Sequence, residues 1–205
     1  MNGSQARPVN HHAEQPGFAG VSGVLAGLAM LAAGRASART ALDLACVSDA
    51  DRVVDIGCGP GMAVRAAARR GARVTGVDPA PVMLRLARAL TRDRPGITWV
   101  QGAAEDLRLP DGSATVVWSL ATVHHWTNVR AGLAEVQRVL CPGGRFLTIE
   151  RRVRPGATGL ASHGWTDQQA ESFAAQCCAA GFDDARTDTQ RSGRRAVKVV
   201  NAVRS

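Results

Sequence analysis

Residues 53–61 read Val53-Val54-Asp55-Ile56-Gly57-Cys58-Gly59-Pro60-Gly61. An apolar run takes in one acid and then meets three glycines at alternate positions. Such a run suits a strand buried in a sheet, and the glycines let the backbone turn tightly and approach a ligand closely. Met62–Arg70 follows as a helix, and a second strand over Ala72–Val77 leads into Asp78, seventeen residues after Gly61. Strand, glycine turn, helix and acid-terminated strand make a nucleotide-cradling unit. The helix start offers N–H groups with no intrahelical partner, and Asp78 is placed to accept hydrogen bonds from ribose hydroxyls.

The same alternation runs on down the chain. Pro81–Thr91 and Arg130–Leu140 carry helical apolar stripes, and Ile97–Gln101, Thr115–Ser119 and Arg145–Glu150 read as strands. Cys141-Pro142-Gly143-Gly144 stops the second of those helices, because proline cannot continue one and glycine suits the turn. Thr166-Asp167-Gln168-Gln169 reads as an N-cap with Gln169 at the capping-box position, opening a helix that ends at Gly181. Asp184–Thr189 and Ala196–Val203 alternate as a terminal hairpin. The pattern predicts an α/β fold: a doubly wound, mostly parallel seven-stranded sheet with short N-terminal helices as a lid. At 205 residues the chain suits one domain, with residues 1–45 as the lid, 46–150 as the cofactor core and 151–205 as a C-terminal helix and hairpin.

Charge decides which nucleotide is meant. The nicotinamide fingerprint is G-x-G-x-x-G, whereas this turn is G-x-G-x-G with Asp55 two residues before it. A carboxylate there would be repelled by a pyrophosphate. An ammonium or sulfonium ligand reverses the sign, and S-adenosylmethionine carries both and no phosphate.

These residues resemble motif I of the class I S-adenosylmethionine-dependent methyltransferases, and the likeness extends over about Val53 to Glu150. Gly76-Val77-Asp78-Pro79-Ala80 with Met83-Leu84 resembles the family's strand-two end and the helix after it. Residues 102–110, Gly102 to Pro110, resemble the loop that flanks adenine. Residues 117–126, ending in Val123-His124-His125-Trp126, resemble strand four and the segment that follows it, and residues 133–145 resemble an E-x-x-R-V-L-x-P-G-G helix end. The resemblance implies S-adenosylmethionine as cofactor. It implies Asp55, Gly57, Cys58, Gly59 and Gly61 at the methionine end, Asp78, Pro79 and Met83 at the adenosine, Ala104, Glu105 and Asp106 at the adenine, and Ser119 and His124 at the edge of strand four. The branch it suits best is the small-molecule one, similar to quinone and biotin-precursor methyltransferases. Two positions depart from the family pattern: Ala103 and Thr115 stand where the family often has aspartate.

Methyl transfer is an in-line displacement in which the protein supplies position and electrostatics. A base matters for a hydroxyl acceptor and much less for a thiolate or an amine. His124 is the candidate base, the alternative being that it lines the cofactor pocket while His125 packs structurally. His163 and Trp165 fall in a usual substrate-lid segment, where Trp165 either lines the pocket or packs in the core. For His11 and His12 the two readings are a folded-over lid and the surface, of which the surface is favoured. No metal is expected, because the five cysteines form no C-x-x-C pair and have no histidine at ligand spacing.

Other classes are set aside by what the residues lack. The net charge is +8, but Lys198 is the sole lysine, the arginines are scattered and there is no tyrosine, so a nucleic-acid partner is not favoured. Neither an N-P-P-Y segment nor a Pro-Cys nucleophile is present. Residues 16–34 carry no charge, yet five glycines dilute them, and helices packed over the core are expected rather than a membrane span or a secretion signal. Free thiols and a cytoplasmic, cofactor-rich setting are the matching expectation. The leading reading is a methyltransferase with a small-molecule acceptor. The alternatives are a non-catalytic cofactor-binding or partner module and an RNA methyltransferase.

Overall fold

The computed structural model describes residues 8–13, 34–92 and 94–205. Helix α1 covers residues 34–44. The others are α2 Met62–Ala68, α3 Pro81–Thr91, α4 Val129–Val139 and α5 Asp167–Ala179. Strands β1 Arg52–Ile56, β2 Arg73–Asp78, β3 Ile97–Gln101, β4 Ala114–Leu120, β5 Leu140–Arg151, β6 Phe182–Ser192 and β7 Arg195–Arg204 form one sheet in the order β3-β2-β1-β4-β5-β7-β6. β1 to β5 pair in parallel, and β7 lies antiparallel between β5 and β6. The expected doubly wound α/β sheet is therefore present. Its strand order reverses between β1 and β4, which places the ligand crevice of such a sheet at the carboxyl ends of those two strands.

Strand alternation sorts the core into two layers. Val53, Val74, Val116, Leu147 and Val199 face α1, α2 and α3, while Val54, Val77, Val117, Phe146 and Val200 face α4 and α5. The central strands are buried on both faces, as apolar runs in parallel sheets are. α5 begins at the predicted capping box: Gln169 N donates to Thr166 Oγ1 (3.2 Å), and Thr166 N donates to Gln169 Oε1 (3.0 Å). Adjacent Cys177 and Cys178 divide as helix geometry requires, one buried and one exposed, and the five cysteines are free thiols.

The structure corrects one boundary. Cys141–Gly144 is a bulge in β5 rather than a loop before it, since the register jumps from Ala114↔Leu140 to Val116↔Arg145. Pro142, which has no N–H to give, sits where the ladder is interrupted anyway. Of the uncharged stretch 16–34, where helices packed over the core are expected, residues 16–33 lie outside the described residues. Among the described residues no helix is long and apolar enough to cross a membrane.

Residues 8–13 form a turn that straps the carboxyl edge of the sheet. Val9 is buried in the α4/α5 layer, and its carbonyl accepts the indole N–H of Trp165 (2.9 Å). Asn10 Nδ2 donates to Trp126 O (3.1 Å), and His12 N donates to His124 O (2.9 Å). Gln169 does double duty, capping α5 with its amide oxygen while its Nε2 donates to Pro8 O (2.9 Å).

Asp167 ties α5 to the sheet through a two-pronged pair with Arg152 (2.9 and 2.6 Å) and a contact with Lys198 Nζ (3.3 Å). These hydrogen bonds and charges, Arg152's first, hold its carboxyl down at about 2. With a folded value below the ordinary one of 3.8, the stabilisation is present above about pH 4 and is lost as pH falls through 2. Solvent screens this half-exposed pair, so Asp167→Asn should cost under about 1 kcal/mol at neutral pH. It should cost nothing near pH 2. Urea unfolding of both proteins at the two pH values measures this, and equal losses at both would refute it.

Candidate functional site

The glycine turn is shaped by what crowds it. Gly57 has φ +70°, and a Cβ there would lie 2.5 Å from Thr122 Cγ2. Gly61 has φ +76°, and a Cβ there would lie 2.2 Å from Trp99 Cη2. Only glycine satisfies both the left-handed backbone and the close approach. The turn is then drawn onto the end of β2: Gly57 N and Cys58 N both donate to Val77 O (2.8 and 3.0 Å), and Gly59 N donates to Asp78 Oδ2 (2.8 Å). The Asp78 carboxylate accepts a second bond, at Oδ1 from Ala80 N (2.9 Å). Burial raises the Asp78 carboxyl, and the two backbone amides pull it back.

Among the described residues Asp55 has no such support. It is 3% exposed, and the indole N–H of Trp118 lies near it without completing a hydrogen bond. Burial pushes its carboxyl up to about 8. Trp118 opposes that shift and the Asp78 charge adds to it. A buried carboxyl without a partner is costly when ionised and invites a cation.

A cleft of about 410 Å³ opens over this acid. Its lining includes Asp55, Gly57, Cys58 and Gly59, Leu120 to Thr122, and Arg151, Arg194 and Arg195. Ala121 holds φ +59°, a left-handed conformation unusual outside glycine that costs about 1–2 kcal/mol. It turns the chain at the end of β4, so that Thr122 reaches back against Gly57 and donates to Ile56 O (3.1 Å). Sequence reasoning passed over Ala121 and Thr122, since nothing in residue type marks a strained alanine.

The remaining residues matched to the cofactor site are placed differently. The Glu105 carboxylate accepts from Asn128 N (2.8 Å) at the start of α4, and Asp106 turns outward to Arg108 (2.9 Å). Ser119 is fully buried, with its hydroxyl on Thr122 Oγ1 (2.5 Å), and it ties the end of β4 to the loop. Met83 and Ala104 are buried, while Pro79 is exposed beside Asp78. Gly61 lies under Trp99 on the closed side of the turn. The E-x-x-R pair is structural: Glu135 accepts Leu107 N and two Arg138 bonds, and Arg138 reaches Leu109 O, which clamps the loop after β3 to α4.

His124 is 2% exposed, and its Nδ1 lies 2.8 Å from Glu150 Oε2. The other Glu150 oxygen accepts Val123 N (3.0 Å). Glu150, fully buried at the end of β5, went unremarked in the sequence, although a lone acid closing an apolar strand is a usable signal. The carboxylate selects the Nδ1–H tautomer and leaves Nε2 as a proton acceptor. The expectation that His11 and His12 sit at the surface is overturned. His12 is buried and stacks on His163 (4.2 Å between centroids), while His11 is half-buried with Nε2 on Ser162 O (2.9 Å). The cause is the strap, which Val9 anchors in the core. Trp165 packs in the core, resolving its two readings. All five histidines of the chain thus meet at one edge of the sheet. Burial and neighbouring imidazoles hold His12 and His125 down at about 4 and lower His163.

Known proteins share this frame. Residues 54–148 match the methyltransferase domain family. A demethylmenaquinone methyltransferase of Tropheryma whipplei is 36% identical over 112 residues, covering 55% of this chain and 46% of that protein. An uncharacterised methyltransferase of Mycobacterium tuberculosis is 38% identical over 106 residues, covering 52% of this chain and 42% of that protein. The chain spans less than half the length of these curated relatives. Among solved structures, a chain from the complex between the Haloferax volcanii Trm112 methyltransferase activator and its methyltransferase has a TM-score of 0.75 at 22% identity, covering 88% of this chain and 94% of that one. A SAM-dependent methyltransferase of Aquifex aeolicus has a TM-score of 0.69 at 15% identity, covering 82% and 89%. At these identities the structures establish the fold.

The Asp55 environment makes a signed prediction. Its folded pKa of about 8 lies above the ordinary 3.8, so the folded chain keeps a proton that the unfolded chain releases. Ligand-free stability should therefore fall as pH rises from about 4 to 8. Asp55→Asn removes that slope and should be the more stable protein at pH 8, by on the order of 2 kcal/mol. Chemical denaturation at about pH 5 and pH 8 tests this, and parallel behaviour of the two proteins would falsify it.

Proposed function

We propose that the chain is a class I S-adenosylmethionine-dependent methyltransferase that transfers a methyl group to a small-molecule acceptor, a reading supported by the match of residues 54–148 to the methyltransferase domain family. The observation that carries the reading is the orphaned, buried carboxyl of Asp55 facing a cleft beside the glycine turn. A cofactor ending in an ammonium fits it: the cation supplies the partner that the fold withholds, and the close-approach glycines leave room for it. S-adenosylmethionine, when bound, supplies a methyl group already activated by positive sulfur.

The chain's own residues then bind and orient. Asp55 holds the ammonium. Asp78 keeps lone pairs for ribose hydroxyls after accepting its two backbone bonds. Leu120 to Thr122 and the Arg151 side of the cleft face the acceptor. For a hydroxyl acceptor, His124 Nε2 receives the proton, and Glu150 at Nδ1 fixes the imidazole's orientation. Residues 1–45 act as the lid, 46–150 as the cofactor core and 151–205 as the C-terminal helix and hairpin.

The cleft's volume suits a small acceptor, and the likeness to a demethylmenaquinone methyltransferase favours a planar, quinol-like one. The cytoplasm, where the cofactor is made, is the matching compartment.

Calorimetry with S-adenosylhomocysteine should show one site per chain. Asp78→Ala should weaken it at least about tenfold, the loss of more than 1.4 kcal/mol expected for a charge-assisted hydrogen bond. With radiolabelled cofactor and a metabolite extract, label should appear in a low-mass product. Absence of S-adenosylhomocysteine binding would end the reading, and label found only in RNA would overturn the small-molecule acceptor.

A further inference from the structure

The five-histidine cluster exceeds what methyl transfer requires, because one oriented imidazole suffices for a base. His124, His125 and His163 each present a ring nitrogen, and these ligand atoms lie within 4.8 Å of one another. We propose that these three residues bind a divalent transition-metal ion of the imidazole-preferring class, Zn²⁺ or its neighbours Co²⁺, Ni²⁺ and Cu²⁺.

The outer shell of such a site is already built. Metal-bound histidines use their second nitrogen on a carboxylate or carbonyl, which fixes ring and tautomer. His124 Nδ1 has Glu150 (2.8 Å), and His125 Nδ1 faces the backbone carbonyl of His12 (3.4 Å). Both therefore have Nε2 to offer. Among the described residues no hydrogen bond engages the His163 ring, and the His12 ring stacked on it at 16° sets its plane. His12 lies outside this trio, with its Nε2 committed to Ser162. Ser162 Oγ gives its proton to Gly159 O (2.7 Å), so it accepts one from His12 Nε2 (3.1 Å).

The dimensions are close to what an ion needs. Bonds of about 2.0–2.1 Å in a tetrahedral site place the nitrogens roughly 3.4 Å apart. Closing from 4.8 Å takes about an ångström of side-chain movement, which the half-buried His163 loop can supply. Three imidazoles leave a fourth position open, as in sites where the ion also meets water or an acceptor. Electrostatics balance locally: the Arg151 guanidinium, held by His163 O (2.9 Å) and Leu160 O (2.7 Å), disfavours a second cation, and the buried Glu150 carboxylate beside His124 offsets it. Metal loading and proton acceptance use the same His124 Nε2 and so exclude each other.

The test uses the full-length, tag-free chain after chelator treatment. Titration with Zn²⁺ by calorimetry and with Co²⁺ by its visible d–d absorption should give one ion per chain, micromolar or tighter, with a low-coordinate Co²⁺ spectrum. His163→Ala should weaken Zn²⁺ at least tenfold, and Glu150→Gln, acting through the orientation of His124, by about 10–100-fold. S-adenosylhomocysteine binding by His163→Ala should stay at the wild-type level. That shows the variant is folded and separates failure of the metal site from failure of the methyltransferase reading. Should His163→Ala not fold, His163→Gln carries the same test. No saturable binding to the wild-type chain, or undiminished binding by the folded His163 variant, would overturn the proposal.

Discussion

Burying a carboxylate at the end of a strand is the constraint around which this molecule is arranged. β1, β2 and β5 each carry an acid at or near the carboxyl edge, and Asp55, Asp78 and Glu150 are all at most 6% exposed. Each burial is met in its own way. Asp78 is met by two backbone amides, one of them from the glycine turn, so the acid shapes the turn that sits over it. Glu150 is met by one amide and one imidazole, which places His124. Asp55 is met by no hydrogen-bond donor among the described residues. The first two solutions fix geometry, and the third stores a binding preference at a cost in stability to the free chain.

The arrangement explains why the site is spread over such distant residues. β1 and β4 lie side by side at the switch point, yet Asp55 and Thr122 are far apart in sequence, and Glu150 comes later still. Parallel pairing brings all the carboxyl ends to one edge, so each strand delivers its last residue to the same place.

The sheet was legible in the sequence because its signals are local. Apolar runs of strand length, the capping box at Thr166 and the glycine turn state their structure within a few residues. The positions of Asp55 and Asp78 near the ends of β1 and β2 were legible because an acid closing an apolar run stands out within a few residues. What escaped depends on long-range contact. Nothing near His11 and His12 says that Val9 will be drawn into the core under Trp165, so a polar terminal segment read as surface. Glu105 and Asp106 matched a family position, but a carboxylate's direction is set by the nearest good donor, and those donors, Asn128 N and Arg108, answered first. The bulge at Cys141–Gly144 was half visible: proline and glycine announced an interruption, while its place inside β5 follows from pairing with β4.

The strap carries one further consequence, in the order of assembly. Its bonds join residues 116, 156 and 161 positions apart, from Asn10 to Trp126, Val9 to Trp165 and Gln169 to Pro8. Contacts that close such long stretches of chain are entropically expensive and come after the sheet they rest on. The histidine edge is therefore the last part of the molecule to take shape and the first to come undone. A chain that has folded every strand still lacks its histidine edge until residues 8–13 have closed onto Trp126, Trp165 and Gln169.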